Sequence, residues 1–226
     1  MIQELKKFSA ADKAKLRGFI FDMDGTIFDT ERLYRKCWYE LQSERGYIIT
    51  DAMLDRMRGA SLQNGARIFE GVNPQYSYLE ERGYRMDRVF KYIDRDGVPL
   101  KPGLKELFSY LKEHNYRRAL GTSTIQTQVD RYLAKAGMAE DFDFLGYGNL
   151  VEHGKPAPDL FLLCADRIGL KPSECAVVED SINGITSAHA AGMTVIGIHD
   201  MNDLSPVRPL IDLEIDRLDE IAAWLM

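Results

Sequence analysis

From residue 97 onward, short apolar runs alternate with segments of helical spacing, and this alternation limits the chain to few architectures. Gly103 to His114 predicts a helix, Tyr116 to Gly121 a strand, Ile125 to Ala136 a helix and Phe142 to Tyr147 a strand. Pro158 to Ile168 predicts a helix with proline in its first turn, where the missing N–H costs nothing. Cys175 to Val178 follows as a strand, Ile182 to Ala191 as a helix, Thr194 to Ile198 as a strand, and Asp212 to Met226 as a closing strand and helix. Strands and helices in this order require right-handed βαβ crossovers and a mainly parallel sheet covered on both faces.

One more strand, Gly18 to Asp22, lies far upstream and runs straight into the turn-forming pair Asp24-Gly25. Between the two regions, from Thr30 to Asp96, apolar residues recur at helical spacing: Leu33, Cys37, Trp38 and Leu41, then Met53, Leu54 and Met57, then Tyr84, Val89, Phe90 and Ile93. The segment GVPLKPG, Gly97 to Gly103, holds two prolines and two glycines and reads as a hinge. The expected fold is therefore α/β, with a doubly wound Rossmann-like core of residues 1–28 and 97–226. A small all-α domain of residues 29–96 is inserted after the first strand. Residues 1–17 read as a short polar helix or a loose leader.

Composition narrows the function. With 29 Lys+Arg against 35 Asp+Glu the chain carries a formal charge of −6, which argues against nucleic acid as its partner. Cys37, Cys164 and Cys175 form no C-x-x-C pair and are expected to be reduced, buried thiols. The charged start MIQELKKFSAADKAKLR lacks the apolar stretch of a secretory signal, and runs such as Leu160 to Ala165 and Met193 to Ile198 are far too short to span a bilayer. A cytoplasmic, non-membrane protein is expected, as a monomer or weak homo-oligomer.

In open α/β sheets ligands bind beyond the carboxyl ends of the strands. Here those ends read Asp22-Met23-Asp24-Gly25-Thr26, Gly121-Thr122-Ser123-Thr124 and Glu179-Asp180-Ser181, and Lys155 precedes a helix in HGKPAPD. Crowded carboxylates repel, and a shared cation relieves the repulsion. Oxygen ligands without a matching His or Cys set favour Mg²⁺, which takes one or two carboxylates, waters and a phosphate. An aspartate can attack phosphorus, a second carboxyl can protonate the leaving alkoxide and then activate water, and a hydroxyl and a lysine can hold the phosphoryl oxygens. An EF-hand is a poor match, because the glycine is fourth and not sixth in the loop.

The ordered set FDMDGT, GTST, GKPAPD and VVEDSINGITSAHAAGM resembles the haloacid dehalogenase-like superfamily, in the branch of phosphoglycolate phosphatase and β-phosphoglucomutase, from Gly18 to the end of the chain. The resemblance implies Asp22 as nucleophile and Asp24 as general acid/base whose backbone carbonyl also meets Mg²⁺. It implies Thr122, Ser123 and Lys155 around the phosphate, and Glu179 and Asp180 as the acidic pair at the metal, with Asp180 the more direct ligand. The helical insertion resembles the family's mobile cap, with hinge strands at Gly97 to Gly103 and around Phe28 to Thr30. Arg58-Gly59 matches the basic-Gly pair of the cap's substrate loop. Asp24 argues against a dehalogenase, since a halide leaves without a proton. Tyr34 and Leu62 stand where the mutase has a histidine and an arginine, which weakens a hexose-phosphate mutase as the alternative. The expectation is an Mg²⁺-dependent phosphatase acting on a small phosphorylated metabolite such as a sugar phosphate, through an aspartyl-phosphate. A catalytically idle binding protein of the same fold is the remaining alternative. The four histidines, His114, His153, His189 and His199, show no ligand spacing.

Overall fold

The computed structural model describes residues 2–6, 8–58 and 62–226. It divides into two compact units, one of Met1–Asp29 with Pro99–Met226, the other of Thr30–Val98.

The first unit is built on a seven-stranded sheet of β1 (Gln3–Glu4), β2 (Gly18–Phe21), β3 (Arg117–Thr122), β4 (Phe144–Tyr147), β5 (Cys175–Glu179), β6 (Thr194–Ile198) and β7 (Leu213–Ile215), in the order β1-β7-β6-β5-β2-β3-β4. Every pairing is parallel except β1 with β7. Strand β2 lies inside the sheet, between β5 and β3, and is buried along its whole length, as an unalternated apolar run between helix-covered faces must be. Its side chains divide by parity. Ile20 joins Ala119, Val177 and Val195 beneath α8 (Asp159–Arg167) and α9 (Ile182–Ala190), with Phe161, Cys164, Ile185 and Ala188 as the helical partners. Phe19 and Phe21 point the other way, where Phe21 meets Phe108 of α6 (Leu104–Glu113) with ring centroids 5.1 Å apart. The helix α7 (Gln126–Ala136) buries Val129, Tyr132 and Leu133.

The amino-terminal stretch corrects one expectation. It holds the short helix α1 (Ala10–Lys13), closed by a Ser9 capping box, but also the two-residue edge strand β1, so the helical insertion follows the second strand in chain order. A two-residue strand has no period to detect, and only its partner Leu213–Glu214 defines it. The chain leaves and re-enters this unit side by side: Phe28 bridges Leu100, and Asp29 N–H donates to the Pro99 carbonyl at 2.9 Å.

The second unit contains α2 (Thr30–Arg45), α3 (Asp51–Met57), α4 (Leu62–Glu70) and α5 (Tyr78–Asp96). Trp38, Leu41, Tyr47, Met53, Leu54 and Phe69 form its core together with Tyr78, whose ring stacks on Trp38 at 6.2 Å. The aromatics Trp38, Tyr76 and Tyr78 thus serve packing within this unit, while the exposed Tyr84 lies under the Arg45 guanidinium at 4.1 Å. The buried Glu81 is held by Arg45 through two hydrogen bonds of 2.6 and 2.8 Å. Among the described residues no helix is long and apolar enough to cross a membrane.

Candidate active site

Strand β2 ends at Phe21, and Asp22 is its first residue past the edge, with its N–H still tied to the Val178 carbonyl of β5 at 3.0 Å. The next residues fold back sharply, as the Met23 carbonyl accepts from Thr26, Ile27 and Phe28. Gly25 makes this turn possible. Its φ is +82°, and a Cβ built there would overlap the Asp180 carboxylate. The turn leaves Asp22 buried and brings Thr26 Oγ1 to 3.1 Å from Asp180 Oδ1.

Lys155 enters from the loop after β4, through a cis peptide bond to Pro156. Its Nζ donates to Asp22 Oδ1 at 2.6 Å and to Glu179 Oε1 at 2.7 Å, and lies 4.7 Å from the centroid of Phe161. Burial pushes the Asp22 carboxyl up to about 7, against the opposing pull of the Lys155 charge. For Lys155 burial works against the charged form, but Asp22 and Glu179 together outweigh it and hold the pKa above the ordinary lysine value. The lysine is thus a fixed, desolvated cation aimed at the carboxylate that follows β2.

Strand β3 ends in Thr122, which is buried, whereas Ser123 is exposed. The Thr122 hydroxyl accepts from Thr124 N–H at 3.1 Å and does not cap α7, whose N-cap is Ile125. Thr124 Oγ1 donates to Asp24 Oδ2 at 2.7 Å. On the other side of β2, Glu179 ends β5 and uses its second oxygen to accept from Ser181 N–H at 2.7 Å. A Cβ at Gly184 would occupy the Glu179 carboxyl group, so the first turn of α9 fits against Glu179 only because that residue is glycine. Ser181, and neither acid, caps α9 by accepting from Gly184 N–H at 3.0 Å. Asp180 accepts from Thr26 and from Asn202 Nδ2, the latter at 3.1 Å on Oδ2 and at 3.0 Å on its backbone carbonyl.

The residues around the three strand ends are Asp22, Asp24, Thr122, Lys155, Glu179 and Asp180, joined by Thr26, Thr124 and Asn202. Thr26 and Thr124 lie within the motifs read from the sequence but carried no assigned role there, and Asn202 had no sequence signal at all. In the helical unit Arg58 donates to Asp55 at 2.8 Å and lies 3.6 Å from Glu31, with its side chain 8% exposed. Gly59 lies outside the described residues. Tyr34 is buried with the Arg85 guanidinium 4.5 Å from its ring, and Leu62 is exposed. His153 and His199 pair with Asp159 and Asp216.

A cation would find oxygen donors only. Among the described residues no group of three or more His, Cys, Asp or Glu is arranged as a metal cage, and Mg²⁺ needs none, since one or two carboxylates with waters and a phosphate satisfy it. Asp22 and Asp180 are carboxylates of the type such a site would use, and Gly25 clears the space against Asp180 that a side chain would fill.

A model of the haloacid dehalogenase-like hydrolases matches residues 16–192, more than half of the chain. The chain belongs to the haloacid dehalogenase-like hydrolases. Within that family it is 33% identical over 183 residues to the fructose-1-phosphate phosphatase YqaB of Escherichia coli, covering 80% of this chain and 95% of that protein. It is 27% identical over 190 residues to the β-phosphoglucomutase of Bacillus subtilis, covering 81% and 83%. A haloacid dehalogenase-like protein of solved structure from Agrobacterium tumefaciens superposes with a TM-score of 0.77 at 26% identity, over 93% of this chain and 97% of that one.

Proposed function

We propose that this hydrolase is a Mg²⁺-dependent phosphatase that releases phosphate from a small phosphomonoester, a sugar phosphate foremost, through a phosphoryl-Asp22 intermediate. The observation that carries the reading is the Lys155 ammonium, buried and within hydrogen-bond reach of both Asp22 and Glu179. A desolvated cation held beside a buried carboxylate is what phosphoryl transfer to that carboxylate requires, because the arriving group brings negative charge into a low-dielectric site. In this reading Asp22, Asp180 and the Asp24 carbonyl hold Mg²⁺, and Glu179, with both oxygens already engaged, holds Lys155 in place. The bound ion supplies charge neutralisation for the phosphate and the carboxylates.

An Asp22 oxygen attacks phosphorus while the bond from phosphorus to the leaving oxygen breaks. Asp24, oriented by Thr124, gives its proton to the departing alkoxide. The same carboxylate then takes a proton from the water that attacks phosphoryl-Asp22, and inorganic phosphate and Asp22 are regenerated. Thr122, Ser123 and Lys155 hold the phosphoryl oxygens. Arg58 and Gly59 would be the candidates for substrate selection. The sugar-phosphate class is supported by the similarity to the Escherichia coli enzyme.

The test is phosphate release across sugar phosphates, phosphoglycolate, nucleotides and an aryl phosphate, with and without Mg²⁺, with Asp22→Asn as control. Metal-dependent release that falls to assay background in the variant is expected. Substantial activity left in Asp22→Asn overturns the nucleophile, and an isomerised sugar phosphate in place of phosphate favours the mutase, a reaction carried by the Bacillus subtilis relative.

A further inference from the structure

We infer that Asn202 is a positioning residue for the metal site, fixing the carboxylate of Asp180 in the orientation that receives Mg²⁺. The inference rests on the reading of Asp180 as a metal ligand.

The Asp180 carbonyl and its Oδ2 are both acceptors, so the Asn202 atom within 3.0 and 3.1 Å of them is the NH2 nitrogen with its two hydrogens. One amide group therefore ties the backbone of Asp180 to its own side chain. Thr26 Oγ1 holds the opposite oxygen, Oδ1, at 3.1 Å. With a donor on each oxygen and a further bond to the backbone, the plane of the carboxylate is held from both sides. The loop that delivers Asn202 is itself pinned. Before it, the buried Lys101 ammonium donates to the His199 carbonyl at 3.3 Å and to Asp200 Oδ1 at 3.0 Å. After it, Ser205 folds back on Asp203 and Leu204 is buried in the core. A neutral donor suits this role, since it orients the carboxylate without cancelling the charge that a cation requires. Groups that orient a ligand in this way are worth about 10- to 100-fold in metal affinity.

The test is Mg²⁺ binding to the metal-stripped full chain, read by titration calorimetry and by the free Mn²⁺ signal in electron paramagnetic resonance. Asn202→Ala and the shape-preserving Asn202→Leu are expected each to weaken binding by about 10-fold or more, with melting temperatures in the absence of metal close to the wild type. In the Asp180→Asn background neither substitution should weaken binding further, because the residue acts through Asp180. Equal affinities in wild type and both variants overturn the proposal, as does the same fold-loss in the Asp180→Asn background. Loss in Asn202→Ala that Asn202→Leu does not share also overturns it, since the donor would then be irrelevant. Failure of the wild type to bind either ion overturns the metal reading beneath it, a result distinct from all of these.

Discussion

Gly25 shows how one residue carries two demands. Its φ of +82° is costly for any side chain, and the space a Cβ would take is filled by Asp180. Gly25→Ala is expected to destabilise the protein by at least about 1–2 kcal/mol from the backbone alone, and to weaken Mg²⁺ binding through displacement of Asp180. Urea denaturation and metal titration check the two effects, and an unchanged urea midpoint would show that the turn relaxes freely. At this scale the sequence was most legible where side-chain type is bound to chemistry. Asp22, Asp24, Thr122, Glu179 and Asp180 stand out by their place after apolar runs, and Lys155 by its place ahead of a helix in HGKPAPD. Asn202 does not, because an asparagine in a polar loop has no pattern of its own, and its role follows only from what the fold places opposite it.

At the level of elements, small residues set how closely α8 approaches the sheet. Gly121 and Gly146 lie on neighbouring strands, and a Cβ at Gly146 would come 2.7 Å from Cys164 Sγ and 3.1 Å from the Leu120 carbonyl. Gly146→Ala is expected to cost about 1–3 kcal/mol by overpacking, and Cys164→Ala to recover part of that loss by making room. Equilibrium unfolding of the two single variants and the double variant measures the coupling, and strict additivity would contradict the packing account. The alternation of strands and helices was readable because both faces of β2 are buried and its neighbours are joined by amphipathic helices. The edge strand Gln3–Glu4 was not readable, since two exposed residues carry no period and owe their conformation to β7.

Across the whole molecule, the three cysteines are free and buried. Burial pushes the Cys37 thiol up to about 11 and the Cys164 and Cys175 thiols up to about 12. At pH 8 the folded protein is expected to react with an aromatic disulfide reagent far more slowly than the urea-unfolded chain, which should titrate three thiols. Because Cys37 belongs to the helical unit and the others to the sheet unit, the order of their labelling in urea reports whether the two units open together. Rapid labelling of the native protein at all three sites would contradict the burial.

The sequence by itself determined the fold class and which polar residues follow the apolar runs, because periodicity encodes which faces are covered and residue type encodes charge and hydrogen-bonding capacity. Tertiary structure alone decided the partnerships. Lys155 joins Asp22, 133 residues away, to Glu179, and Thr26 and Asn202 meet on Asp180. Spacing along a chain does not specify the direction of a side chain at the end of a strand. That direction is fixed by the order in which the strands pair, which places β2 between β3 and β5 and gathers their ends at one edge.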